Sequence, residues 1–482
     1  MLAEDYLELF MGEFHRWKDV SLDMSVFNIT PDTTNNQHES DSSGIFAPLS
    51  NTPLPMLEVL SIKGLTTNTH PKLPWIGECP KLHTLRLFRY DPSILPTSLQ
   101  NTWSQLTHIE LAFVKIDTIL QTLSMCPNLI CAHLSLDCRI SHIQAILRHR
   151  VSRHPTLINA DSNPNQIILT HCPTLRELHI RLWMGSRIGT LLTYEPLMDL
   201  FQNLQCPTLR TLSLTSGAES VTESSYLAQA HAQSQRSWSR KHVNGFLSRS
   251  GLASVSVDGT STGAPANVTA TLRRLVIKYL PLCTSDVLDF LRNIPGMTDL
   301  TIHDVRDVRD GEAVGMWRHA DYYNQEQLDG LLTSNSSPSI GYGNPSAGPK
   351  NSILTEEFFE QMYVGVGLVR QAHAAPSPLP SPSHSADLLP NLSRLEIKLW
   401  NSNKKEDVDF TQELEKMVAS RWQARVSSAN ANKRTGLECV VIRLMGTPYP
   451  FDHLRRFRNE GMLVKVVWDT EMGEWNGRGL LG

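Results

Sequence analysis

One frame, Leu-x-x-Leu-x-Leu, restricts this chain more than any other feature in it. Its sharpest copy is Cys172-Pro-Thr-Leu-Arg-Glu-Leu-His-Ile180. The frame also appears at Leu57/Leu60/Ile62, Leu82/Leu85/Leu87, Leu106/Ile109/Leu111, Leu129/Ala132/Leu134 and Leu209/Leu212/Leu214. The second half repeats it at Leu272/Leu275/Ile277, Met297/Leu300/Ile302, Leu392/Leu395/Ile397 and Leu437/Val440/Ile442. The early copies begin 25, 24 and 23 residues apart, and the step from Leu129 to Leu175 is 46, twice the last of these. The last two apolar positions alternate, so both point to one face of a short strand. One strand and its crossover cannot bury that face alone, whereas stacked neighbours share a continuous core.

Frame and period together predict an α/β leucine-rich-repeat solenoid: a curved parallel sheet with outer helices and loops, one unit over residues 1–482. Residues 1–50 are expected to form an N-terminal cap and loop. A short helix over 3–14 leads into an irregular rung in which Trp17, Val20 and Leu22 alternate. Ile116–Met125 is the clearest crossover helix, and 151–169 a degenerate rung. Two stretches break the pattern and are expected to be flexible insertions: 216–270, rich in Ser, Ala and Gly with a helix near 222–235, and 304–387. Within the second, Thr355–Tyr363 reads as a helix with Phe358, Phe359 and Met362 inward. Residues 388–482 return to repeats and a cap, with a helix over Phe410–Arg425, and a last helix stopped by Gly461.

Lys plus Arg is 44 and Asp plus Glu 48, a formal charge of −4. So near a balance gives no reason to expect a nucleic-acid partner. No apolar run approaches the roughly 20 residues of a membrane helix, so no membrane partner is expected. The segment before His15 is acidic, the wrong sign for a secretory leader. The expected location is intracellular, cytoplasmic or nuclear, with the sequons at Asn28, Asn267, Asn335 and Asn391 unmodified.

Four of the eight cysteines sit in Cys-Pro pairs, at Cys79, Cys126, Cys172 and Cys206, each just before a repeat strand. A disulfide framework would not place cysteines at one fixed point of a repeat. They read as small buried side chains followed by a proline that prevents helix continuation.

Catalytic and ligand-binding patterns are weak. Gly259-Thr-Ser-Thr-Gly263 matches the hydrolase elbow Gly-x-Ser-x-Gly, which needs a strand before it and a helix after it. Pro265 and the run that follows form no helix, so a serine hydrolase using Ser261 is kept only as the alternative from another class, and the chain is not expected to be an enzyme. Cys126, Cys131, Cys138, His133 and His142 fall in one short stretch. They lack a Cys-x-x-Cys knuckle, so no metal and no cofactor is expected there. Gly341-Tyr-Gly343 lacks a preceding strand and reads as a loop. Arg148, Arg150 and Arg153 lack interleaved aromatics and read as a solvated surface.

What remains is the set of strand residues facing away from the core, including Ser135, Ser213, Lys278, Thr301, Glu396 and Lys398. On the most regular rungs these are Arg86, Glu110, His179 and Arg181. In a stacked parallel sheet they line one concave face and suit a protein partner.

Phe14-His-Arg-Trp-Lys-Asp-Val-Ser-Leu22, followed by the Cys-Pro-x-Leu-x-x-Leu-x-Leu repeats, resembles the leucine-rich-repeat regions of F-box proteins of mushroom-forming fungi. Leu454-Arg-Arg-Phe-Arg-Asn-Glu-Gly-Met462 and the Val-rich strand after it resemble that family's close. The resemblance implies a non-catalytic protein-interaction module, the substrate-recognition part of an F-box-type ubiquitin ligase. A free scaffold without a ubiquitin role is the alternative. The family's F-box, which docks a Skp-type adaptor, is not recognisable here, because Met1–Phe14 is too short to supply it. The adaptor is therefore a doubtful partner, and its contacts are assigned to no residue.

Overall fold

The computed structural model describes residues 12–23, 53–63, 79–89, 102–141, 169–183, 190–216, 238–253, 272–280, 282–304, 306–307, 350–351, 353–364, 388–401, 407–427, 436–446 and 451–469. Among these a single sheet of 12 strands dominates. Its strands are β1 (Asp19–Asp23), β2 (Val59–Lys63), β3 (Thr84–Phe88), β4 (His108–Ala112), β5 (Cys131–Asp137), β6 (Glu177–Trp183) and β7 (Thr211–Ser216). Then come β8 (Arg274–Lys278), β9 (Asp299–His303), β10 (Arg394–Asn401), β11 (Cys439–Gly446) and β12 (Leu463–Asp469). The sheet order is the chain order, and pairing is parallel along β1–β7 and along β9–β12. Each frame named above lies on or leads into one of these strands. Parallel neighbours need crossovers; α1 (Ile116–Ser124), α2 (Glu195–Asn203), α3 (Arg240–Arg249), α4 (Thr284–Arg292), α5 (Glu356–Gln361), α6 (Asp407–Ser427) and α7 (Asp452–Asn459) belong to them. No helix among the described residues is long and apolar enough to cross a membrane.

The chain packs as two compact units. The first lies within 1–184, 193–217 and 238–274, the second within 185–192, 218–237 and 275–482.

In the first unit a turn precedes each strand. The Leu82 N–H donates to the Cys79 carbonyl, Leu129 to Cys126 and Leu209 to Cys206, each over four residues. The Cys side chains of these turns are buried, as is Cys172. Burial alone pushes the Cys79 thiol up to about 12. Entry into each strand is fixed by one carbonyl of the preceding rung that accepts two successive N–H groups. His83 and Thr84 share the Glu58 carbonyl, Thr107 and His108 share that of His83, and Ile130 and Cys131 that of Thr107. The residue after the proline ties rungs together: Thr174 Oγ1 lies 2.8 and 2.9 Å from the carbonyl oxygens of Pro127 and Leu129. Thr208 repeats this toward Pro173 and Leu175. The frame's strand positions (Leu85, Leu87, Ile109, Leu111, Leu178 and Ile180) are all buried. Each contributes about 1.5–3 kcal/mol by leaving water.

Val20 of β1 is buried while Trp17 and Leu22 are half-buried; the proposed helix over 3–14 lies outside the described residues except at its end, where Phe14–Arg16 form a 3-10 turn. Residues 238–253, inside the stretch expected to be a flexible insertion, hold α3. Its Val243, Phe246 and Leu247, at helical spacing, are buried, and Phe246 stacks on Phe201 of α2 at 4.8 Å between ring centroids. The helix expected near 222–235 lies outside the described residues, as does most of the degenerate rung.

The second unit is organised by two buried charges. Asp304, just after β9, accepts the N–H groups of Ile353 and Leu354 at 2.8 and 2.7 Å and so anchors the start of α5. Thr355 caps that helix, accepting from the Phe358 N–H, and Phe358, Phe359 and Met362 are fully buried, as their spacing predicts. On α6, Leu414, Met417, Val418 and Trp422 are buried on one face, and Arg421 is buried with them. Its guanidinium donates to the carbonyls of Met362, Leu389 and Leu388. Leu389 has φ 53°, a left-handed conformation that a non-glycine residue keeps only when its surroundings hold it. Gly461 ends α7 with φ 101°, where glycine is favoured. Strand β12 carries the exposed Leu463 and Trp468.

Candidate functional site on the outward strand face

Because the inward positions of β3 to β6 are fixed by the Leu frame, the alternate positions must point the other way. Registry then builds rows across the strands. One row runs Ser61, Arg86, Glu110, His133, His179, Ser213, each residue the Cα partner of the next. A second runs Thr84, His108, Cys131, Glu177, Thr211, and a third begins Phe88, Ala112, Ser135, Arg181, Thr215.

All four residues singled out in the sequence lie on this face. Arg86 and Glu110 form an ion pair, Nε to Oε2 3.6 Å. His179 lies one row position further than Glu110's neighbour His133, and Arg181 is two residues along the same strand. The rings of His133 and His179 stack, 4.4 Å between centroids and 6° between planes. Burial lowers the His133 pKa, and neighbouring His179 lowers it further, since two imidazolium groups in contact repel. The Glu177 carboxylate sits 3.5 Å from His179 Nε2. Cys131, two residues before His133 on β5 and in register with Glu177, is outward by registry yet only 6% exposed. Burial, and then the nearby Glu177 charge, push its thiol up to about 11.

Beyond the third row lies an aromatic shelf. The Arg181 guanidinium carbon is 5.9 Å from the Trp183 ring centroid, and Phe113 meets Trp183 edge to face at 5.5 Å. Arg89 reaches over Phe113 in turn. Arg89 and Phe113 each follow a strand with φ near 56–59°, their N–H groups bonded to the carbonyls of Ala112 and Ser135 on the next rung. That left-handed step is uncommon for non-glycine residues and aims both side chains off the strand ends.

Among the described residues of the metal set considered in the sequence, Cys126 and Cys138 do not join Cys131 and His133. Cys126 and Cys138 are buried at the turn and strand end, and His142 lies outside the described residues. Cys131 and His133 instead meet His179, which sequence reading had placed only among the partner-facing residues. One ligand atom from each of the three lies within 4.8 Å of the others. The signal was present as Cys131-Ala-His133 and Glu177-Leu-His179, two x-spaced pairs that parallel pairing puts on one face. It was hidden by the 46-residue step, which conceals that β5 and β6 are neighbours. Ser261, Gly341–Gly343 and Arg148–Arg153 also lie outside the described residues.

In the second unit the outward positions behave differently. His303 of β9 contacts Glu396 of β10 at 3.3 Å, and Arg443 of β11 donates to the same Glu396 Oε1 at 3.1 Å. Burial would raise the Glu396 pKa, but the Arg443 and His303 hydrogen bonds outweigh it and hold the carboxylate below its usual range. Tyr279 packs edge to face on His303, and Lys398 Nζ is 3.3 Å from the Tyr279 hydroxyl.

No protein-family model matches the chain, and no curated protein matches it in sequence.

Proposed function

We propose that this chain is a non-catalytic protein-binding module, a leucine-rich-repeat solenoid whose partner docks on the outward face of β3 to β6. One observation supports the reading above the rest. Arg86, Glu110, His133, His179 and Arg181 stand on in-register parallel strands, so a polar and aromatic surface rides on rigid backbone. Arg181, Trp183, Phe113 and Arg89 add the aromatic and guanidinium groups that dominate interface energetics. The resemblance of Phe14–Leu22 and of the repeats favours the finer proposal, the substrate-recognition part of an F-box-type ubiquitin ligase within the cell. The rivals are a free scaffold and, from another class, a hydrolase using Ser261.

Quantitative capture from a lysate by the tagged chain tests the docking face. Glu110→Arg combined with Arg181→Glu should lower capture of the specific partner about tenfold or more, since about 1.4 kcal/mol corresponds to a factor of ten. The fold should stay intact, as both side chains lie outside the core. Residues 308–349 can be replaced by a short linker, because Arg306 pairs with Asn351 and Asp307 with Lys350. That variant should keep its capture. Loss with the linker and none with the charge reversals would overturn the proposal. Direct binding of a purified Skp-type adaptor separates the ligase version from the scaffold.

A further inference from the structure

We propose that Cys131, His133 and His179 bind a zinc ion on the outward face of β5 and β6. The inference stands apart from the docking proposal: it requires no protein partner. It departs from the expectation that no metal binds here, because that expectation considered only ligands close in sequence.

The geometry carries it. Cys131 and His133 are two apart on β5 and so share a face, and His179 is the direct Cα partner of His133 on β6. Their three ligand atoms lie within 4.8 Å of one another. Tetrahedral zinc, with sulfur at about 2.3 Å and nitrogen at about 2.0–2.1 Å, holds its ligand atoms roughly 3.3–3.8 Å apart. The two rings now lie stacked with their planes 6° apart, so zinc binding requires both to rotate about χ1 and χ2 until their in-plane lone pairs converge. One thiolate and two imidazoles form a set of borderline softness, suited to zinc and unsuited to magnesium or calcium.

On binding, the Cys131 thiol releases its proton to solvent as the sulfur–zinc bond forms. Each imidazole coordinates through a nitrogen lone pair, and no oxidation state changes. A cation supplies what the buried thiol lacks, a positive charge that favours the thiolate. The site then carries one net positive charge beside the Glu177 carboxylate. Glu177, 3.5 Å from His179 Nε2, acts as a positioning residue that orients the imidazole. A stacked pair of surface histidines beside an inert thiol is the bland alternative.

Cobalt titration of the full chain, freed of metal and kept reduced, decides between them. The expected result is one equivalent of Co2+ bound with an intense sulfur-to-cobalt absorption and the visible bands of a tetrahedral ion, bleached by one equivalent of Zn2+. Cys131→Ala should abolish the sulfur band. His133→Ala and His179→Ala should each weaken binding by more than about 100-fold, and Glu177→Gln by about 10–100-fold. His133 is exposed and His179 only half-buried, so these variants keep the test decisive if Cys131→Ala fails to fold. No sulfur band in the parent chain overturns the proposal. So does a spectrum that persists unchanged in His133→Ala and His179→Ala, which would place an adventitious ion at another thiol.

Discussion

The two units use their outward strand positions differently. In the first, His133 meets His179, a like partner, and the carboxylate nearby is half-exposed. In the second, His303 meets Glu396, an opposite partner, which Arg443 also engages. Side-chain exposure is 7% for His303 and 14% for Glu396, against 30% for His179. Matched charges that are bonded to each other and shielded from water serve the fold. Like groups that remain open add little to the fold and, on the proposed reading, are left for a partner. The contrast teaches that an outward residue's role depends on which side chains reach it across the strands: His133 meets its in-register partner His179, whereas His303 and Arg443, both in register with Lys398, reach diagonally to Glu396.

The strongest test of the second unit's side of this contrast is Arg421. Its three carbonyl partners come from the residues around α5 and from the turn before β10, and none lies on α6 itself. Arg421→Ala leaves those carbonyls buried without their donor and opens a void in the α6 face. It should destabilise by about 3–5 kcal/mol in urea unfolding, since three buried carbonyls lose their donor and a cavity is left. A loss below about 1 kcal/mol would mean that the second unit's polar interior is dispensable, and the contrast would fail.

The His303 arrangement should appear next, as pH dependence. Burial, then the charge of Lys278, lowers its pKa to about 4, and the Glu396 bond only partly offsets this. The unfolded chain binds the proton more readily than the folded one, at an ordinary value near 6.5. Stability is therefore highest above pH 6.5 and falls as pH drops toward 4, by about 2 kcal/mol between pH 7 and pH 5. In His303→Gln that slope should flatten. Glu396, whose pKa is lowered, adds its own loss only at still lower pH. Equal slopes in parent and variant would show that His303 titrates freely, like a surface histidine.

Much of this was legible in the residues. The Leu frame marked every strand from β2 to β11, because inward positions must be apolar whatever else the rung does. Gly461 and the α5 trio Phe358, Phe359 and Met362 were equally plain, since helix stops and helical spacing are local signals. Arg86 facing Glu110 could be read from the frame alone. Arg421 could not, although it occupies an apolar phase of α6 next to Trp422. Its partners lie 32 to 59 residues away, and only tertiary packing reveals that three carbonyls await it. Asp304 was hidden for the same reason, its acceptor role depending on Ile353 and Leu354, some 50 residues on. The Cys131–His133–His179 group needed both a strand assignment and the knowledge that β6 follows β5 in the sheet. α3 was missed because its Arg-Lys-His-Val start looks polar, while Val243, Phe246 and Leu247 bury a narrow stripe.

The smallest expected effect belongs to Arg86 and Glu110, and it sharpens the contrast from the first unit's side. The pair is 3.6 Å long, with side chains 47% and 37% exposed, so water screens it on both sides. Two mobile side chains must also be held in one geometry, which offsets most of the attraction. A double-mutant cycle with Arg86→Ala and Glu110→Ala should return a coupling of about 0.5 kcal/mol or less, diminishing further in salt. The same cycle on Arg443 and Glu396, a shorter and less exposed pair, should return a larger value that salt changes little. If Arg86 and Glu110 proved coupled as strongly as Arg443 and Glu396, the first unit's outward row would be a structural network too. Its charges would then be engaged with each other, and the case for leaving them to a partner would collapse.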